Sequence, residues 1–136
     1  MEWIRNWFSN MYPCDTPFIY DGIAYPTVEV FYQAMKTTDK DIRRRIASMN
    51  PYQAKKYART IVLRPDWHNL KLKVMEWGLR AKFAKGTTWY TKLIATTGDI
   101  VETNNWNDKY FGVCNGVGEN HLGRLLTKIR DEYLKS

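Results

Sequence analysis

Two short apolar runs in "FIYDGIAYP" stand on either side of Asp21-Gly22, and an Asp-Gly pair between such runs predicts a tight hairpin turn. The rhythm then changes. Val28, Phe31, Tyr32 and Met35 recur at three- and four-residue spacing, so a helix is predicted from the N-cap Thr27 to about Lys36. Asp39 is placed to cap a second helix through Arg43, Arg44 and Arg45, and Asn50 followed by Pro51 to open a third. The longest helix is predicted from near Asp66 to Gly86, with Leu70, Val74, Trp77, Leu79, Ala81 and Phe83 forming a wide apolar face. "TTWYTKLIATTG" predicts a shorter helix before Gly98, and "DIVE" a short strand. From Asn104 to Glu119 the chain is rich in Asn, Gly and Asp around Trp106, Tyr110 and Phe111, a loop composition. Asn120 then caps a last helix whose inner side is Leu122, Leu125, Leu126, Ile129 and Tyr133. The fold class expected is α+β: a mainly helical single domain over residues 1–136, with a small hairpin and short β elements.

A second stripe on the first helix carries chemistry. Glu29, Gln33 and Lys36 follow one another at four and three residues, so they share a face, with Glu29 and Lys36 about 10 Å apart along the axis. They are either a solvated face with intrahelical pairing or the working face of a site. Cleavage of glycoside-type bonds commonly uses two carboxylates. Asp108 and Glu102, beside the aromatic loop, are candidates for the second, with turn chemistry and capping as the alternative. Trp67, Trp106 and Phe111 either stack on a base or pack in the core. "GVGENHLG" lacks the Lys-Ser/Thr of a phosphate loop. Its helix start either offers N–H groups to an anion or is simply capped by Asn120.

Composition narrows the partners. At 136 residues, with 44% hydrophobic and 15% aromatic content, the chain can build one core. A net charge of +7 points to an anionic partner: nucleic acid, a nucleotide or a phosphorylated metabolite. No stretch reaches the roughly 20 apolar residues of a membrane span, and "MEWIRNWFSN" lacks the pattern of a signal peptide. A cytosolic protein without membrane contact is expected. Cys14 and Cys114 form no Cys-x-x-Cys pair, and His68 and His121 are the two histidines. Two free thiols, no metal and no cofactor are the expectation.

Taken in order, "FSNMYP", "PFIYDGIAYPTVE", "YQAMK", "NPYQAKKYAR", Trp67, "VMEWGLRAKF", "LIATTGDIVE", "NDKYFG" and "GENHLGRLLTKIR" resemble the NADAR domain family over nearly the whole chain. The resemblance implies an enzyme that hydrolyses an N-glycosidic bond between ribose C1 and a base or amine. Its substrate would be ADP-ribose on guanine, in nucleic acid or nucleotide, or alternatively a phosphorylated ribosylamino-pyrimidine of riboflavin synthesis. The rival from another class is a non-catalytic module binding ADP-ribose or nucleic acid. By position, the resemblance makes Glu29, Lys36 and Asp108 catalytic. It puts Phe8, Ser9, Asn10, Tyr32, Gln33, Arg59, Trp67, Lys82, Phe111, Gly112, Asn120 and Gly123 around the substrate. Glu29 would stabilise the oxocarbenium-like sugar and handle water. Lys36 would neutralise the leaving group or attack the anomeric carbon. Asp108 would be the second acid/base group or a ligand of ribose hydroxyls. The chain departs from the family pattern at Val30, where many members have histidine, at Ala58 for glycine, and at Phe111 for tryptophan.

Overall fold

The Asp21-Gly22 pair turns the chain through two positive φ angles, 51° and 79°, the requirement of a two-residue hairpin turn. The computed structural model describes residues 8–104 and 106–136, together with the backbone of Glu2 and Trp3. Among them lie strands β1 (Glu2–Trp3), β2 (Phe18–Tyr20), β3 (Ile23–Tyr25), β4 (Ile100–Val101), β5 (Thr103–Asn104) and β6 (Val113–Cys114). The helices are α1 (Val28–Ala34), α2 (Lys40–Ala47), α3 (Pro51–Tyr57), α4 (Trp67–Lys82), α5 (Thr88–Ile94) and α6 (His121–Lys135). This is the mainly helical α+β architecture that the hydrophobic pattern predicts. No described helix is long and apolar enough to cross a membrane.

The chain divides into two compact units, Asn10–Lys82 and Met1–Ser9 with Phe83–Ser136. The first is organised around α1. Thr27 Oγ1 accepts from Val30 N at 3.0 Å and starts the helix. All seven residues of α1 are buried, because α2, α3, α4 and β3 pack on it from several sides. Phe31 meets Phe18, Tyr20 and Tyr25 edge-on, with centroids 5.2 to 5.4 Å apart. Such pairs each add about 1 kcal/mol beyond their burial. A Cβ on Gly78 of α4 would stand 2.9 Å from Val28 and 3.2 Å from Phe31, so this glycine sets the α1–α4 approach.

Local signals also start the next helices. Asp39 Oδ1 accepts from Asp41 N and Ile42 N at the head of α2. Asn50 and Gln53 exchange bonds in a capping box at the head of α3. Arg64 fastens the α3–α4 loop to the end of α1, its N donating to Lys36 O at 2.8 Å and its guanidinium to Met35 O at 3.4 Å.

Two features of α4 depart from expectation. It ends at Lys82, four residues before Gly86, because Thr87 N and Oγ1 both donate to Ala84 O and form a turn first. Gly86, at φ 92°, lies within that turn, and Thr87 caps α5 through Tyr90 N. Trp77, expected on the apolar face, is 40% exposed and stacks on Tyr20 at 6.2 Å. With Gly78 turned to α1, the preceding residue falls at the rim, and the buried stripe instead includes Trp67, Val74, Met75, Leu79 and Lys82.

The second unit joins β1 to β4 and β5 to β6, both in parallel pairs. Leu122, Leu125, Leu126 and Ile129 form the buried side of α6, and Tyr133 meets Tyr90 of α5 edge-on at 4.9 Å. Asn120 precedes α6 in a left-handed conformation, φ 55°, and its side chain does not cap the helix. It reaches β4 instead: Oδ1 accepts from Glu102 N and Nδ2 donates to Ile100 O, both at 2.9 Å. The N–H groups that one of the two readings offered to an anion are also occupied. Glu119, Asn120, His121 and Leu122 donate to the carbonyls of Lys109, Gly112, Tyr110 and Phe111.

Gly123 completes this junction, because a Cβ there would collide with Ile100 O and with the Asn120 amide. Gly123→Ala is therefore expected to destabilise the fold by about 3 kcal/mol through overpacking against backbone. That loss corresponds to a thermal midpoint lowered by roughly 10 °C, readable by circular dichroism.

Candidate active site

The polar stripe of α1 is not a solvated face. Glu29 is 9% and Gln33 3% exposed, and buried polar groups at such positions need partners. Gln33 Nε2 donates to Glu29 Oε1 at 2.9 Å, while Glu29 N donates to Asn10 O at 3.1 Å. Three buried polar atoms in this unit, Gln33 Oε1, Asn10 Oδ1 and Tyr25 Oη, have no hydrogen-bond partner among the described residues. Leaving a buried acceptor unmet costs about 1–3 kcal/mol. A ligand donor, such as a sugar hydroxyl, would remove that cost.

Lys36 follows at the end of the same stripe, half-buried. Its ammonium lies 5.5 Å from the Tyr32 ring centroid and 6.0 Å from that of Trp67. These two rings meet edge-on at 5.0 Å. Burial lowers the Lys36 pKa most. Glu29 opposes the shift, while Lys55, Arg59 and Lys71 reinforce it. The net direction is downward, toward a lysine that is more readily neutral and nucleophilic.

Lys82 is a second perturbed cation in this unit. It is 1% exposed, sits 6.0 Å from the Tyr12 ring centroid, and burial pushes its pKa down to about 8, opposed by the nearby Cys14. Because the folded state holds this proton less tightly than the unfolded chain, Lys82 subtracts stability below pH 8. That loss is relieved as pH rises from about 8 toward 10.5. Lys82→Met is expected to flatten this part of the pH dependence of unfolding free energy, measured by urea titration at several pH values.

In the other unit, Asp108 organises the aromatic loop. Its Oδ1 accepts from Tyr110 N and Phe111 N at 3.1 and 3.0 Å. Asn104 braces the same turn, its Oδ1 accepting from Asp108 N and its Nδ2 donating to Asp108 O. Glu102 is buried, 3.3 Å from Asn104 Nδ2, and a Cβ on Gly112 would overlap its carboxylate. Phe8 is fully buried and packs on Phe83 at 6.0 Å. Ser9 and Phe111 are half-buried, Phe111 lying edge-on to Tyr110, while Trp106 is 59% exposed. Asn120 and Gly123 shape the α6–β4 junction.

Thus Asn10, Glu29, Tyr32, Gln33, Lys36, Arg59, Trp67 and Lys82 fall in one unit. Phe8, Ser9, Asp108, Phe111, Gly112, Asn120 and Gly123 fall in the other. Sequence reasoning missed Lys55 and Lys71 as charges acting on Lys36, Tyr12 as the ring beside Lys82, and Asn104 as the brace of Asp108. Only the last had a sequence signal, an Asn four residues before an Asp in a turn-rich stretch. Among the described residues no cluster of His, Cys, Asp or Glu is placed to hold a metal ion.

A cavity of about 480 Å³ between β4 and α6 includes Asn120 of the candidate residues. Its rim mixes Asp99 and Asp131 with Arg124 and Lys128, so it offers no net preference for an anion.

Comparison with known proteins agrees with the α+β fold. N-glycosidase YbiA of Shigella flexneri serotype 5b is 35% identical over 120 residues, covering 85% of this chain and 75% of that protein. The NMR structure of YbiA from E. coli superposes with a TM-score of 0.81 at 34% identity, over 95% of this chain and 78% of that one. The chloroplastic riboflavin biosynthesis protein PYRR of Zea mays is 31% identical over 128 residues, 84% of this chain and 20% of that protein. Named N-glycosidases are thus among its relatives, and the enzyme class that follows is an N-glycosyl hydrolase. The NADAR domain model matches residues 2–134, and the chain belongs to the NADAR domain family.

Proposed function

We propose that this protein is a cytosolic N-glycosidase that removes ADP-ribose from ADP-ribosylated guanine in nucleotide or nucleic acid. The observation that carries the chemistry is Lys36, its basicity lowered by burial, at the end of a helix whose buried Glu29 carboxylate is held by Gln33. The substrate choice rests on charge. The Asn10–Lys82 unit has 13 basic and 7 acidic residues, against 8 and 7 in the other, which suits a substrate bearing a pyrophosphate.

In this reading neutral Lys36 attacks the anomeric carbon as the bond to guanine breaks. One amine proton passes by way of Glu29 to the departing base. The ribose ring then opens to an iminium on Lys36, taking up one proton at its ring oxygen. Hydrolysis by water returns that proton, frees ADP-ribose and restores the amine. Glu29 also faces the positive charge that develops on the sugar, where a fixed carboxylate stabilises it most. Gln33 orients that carboxylate, and its Oε1, without a partner among the described residues, is the acceptor for a ribose hydroxyl.

The test is incubation with guanine-ADP-ribosylated oligonucleotide, with free ADP-ribose read by chromatography. Absence of release by the wild type, under conditions where a related enzyme is active, would overturn the substrate assignment. The relatives named for riboflavin biosynthesis favour a second reading, a phosphorylated ribosylamino-pyrimidine as substrate. Release of ribose 5-phosphate from that compound would distinguish it. A binding module without turnover would show ADP-ribose affinity in calorimetry and no product from either substrate.

A further inference from the structure

Between Asp41 and Asp66 the chain carries seven basic residues and no acidic one. Arg43, Arg44 and Arg64 are tied down within the fold. Arg43 is 7% exposed and gives its Nε to Thr37 O at 2.8 Å. Arg44 bridges to Asp41, and Arg64 forks onto both Asp66 oxygens. Arg45, Lys55, Lys56 and Arg59 are the remaining four.

These four divide by position. Lys55 and Arg59, with Lys71 of α4, lie close enough to Lys36 for their charges to act on it, where they suit the phosphates of a substrate. Lys56 is exposed and outside that group. On α3 and its following turn, Tyr52, Lys56 and Arg59 succeed one another at four and three residues, which places them on one stripe. Tyr52 is 72% exposed, a large aromatic on a helix face otherwise made of polar residues. Arg45 of α2 is held on a neighbouring face, its guanidinium donating to Tyr57 Oη at 3.1 Å and lying 5.9 Å from that ring.

Exposed aromatic rings among cations are the means by which proteins hold single-stranded nucleic acid: the cations follow the phosphates and the rings stack on bases. A mononucleotide substrate would be met by the groups around Lys36 and would leave Tyr52 and Lys56 without a role. We infer that the face of Tyr52, Lys56 and Arg59 holds the single strand that flanks the modified guanine. The inference rests on the substrate reading above and adds to it a macromolecular partner and a surface.

The test uses the double variant Tyr52→Ser, Lys56→Ala, both changes being at exposed positions. On ADP-ribosylated single-stranded oligonucleotide its kcat/KM is expected to fall about tenfold, with a shallower salt dependence. On the ADP-ribosylated guanine mononucleotide it should match the wild type. Equal losses on the two substrates, or no loss on the oligonucleotide, would overturn the inference. If the wild type cleaves neither substrate, the substrate reading has failed, and fluorescence anisotropy with a short labelled unmodified oligonucleotide still decides the surface. There the wild type should bind about ten times more tightly than the variant. Equal affinities would overturn the proposal, as would competition by polyglutamate that matches competition by unlabelled oligonucleotide.

Discussion

Glu29→Gln is expected to lower kcat on ADP-ribosylated guanine about a thousandfold while KM changes little. Glutamine retains the size of the side chain and an amide oxygen that can still accept from Gln33 Nε2, so the 2.9 Å contact on α1 has a replacement. What is lost is the negative charge and the ability to carry a proton. The thermal midpoint should move by no more than about 2 °C, because the substitution is nearly isosteric and removes a buried charge. The pH profile supplies a further readout. The Glu29 carboxylate opposes the depression of the Lys36 pKa, so any residual activity should have its acidic limb displaced to lower pH. Turnover within tenfold of wild type would remove Glu29 from the mechanism, whereas lost activity with a collapsed melt would make its role structural.

Lys36→Ala is expected to have a larger effect, on the order of ten thousandfold in kcat, because the covalent step has no substitute. In the wild type, kcat/KM should rise with pH as Lys36 loses its proton, with a midpoint below the ordinary lysine value of 10.5. Borohydride added during turnover should reduce the iminium and leave an ADP-ribosyl mass on the wild type but not on Lys36→Ala. An unlabelled wild type that turns over normally would refute the covalent route. An alanine variant retaining a tenth of the activity would refute any essential role for Lys36.

What was legible in the sequence was mostly local. The Asp21-Gly22 turn, the Thr27, Asp39 and Asn50 caps and the leucine side of α6 each depend on residues within a turn of one another, and all formed as predicted. The burial of Glu29 and Gln33 was not legible, because it depends on segments packing around α1 and not on the period of α1 itself. Trp77 misled for a similar reason: its apolarity favours burial, but the contact of Gly78 with Val28 and Phe31 fixes the rotation of α4. At Asn120 the residue type fits a helix cap, yet its side chain serves the β4 backbone. The lowered basicity of Lys36 comes first from its burial and then from Lys55, Arg59 and Lys71, 19 to 35 positions along the chain, and no local window contains them.

The four amides at the head of α6 that donate to residues 109–112 set how often that loop opens. Swinging the aromatic loop away would break all four bonds, at about 1 kcal/mol each even after exchange with water, and would bare the end of a helix. The open form would then be populated about once in a thousand molecules or less. This segment therefore stays closed on the head of α6 nearly all the time. In hydrogen exchange, the amides of residues 119–122 should be protected as a block and released together.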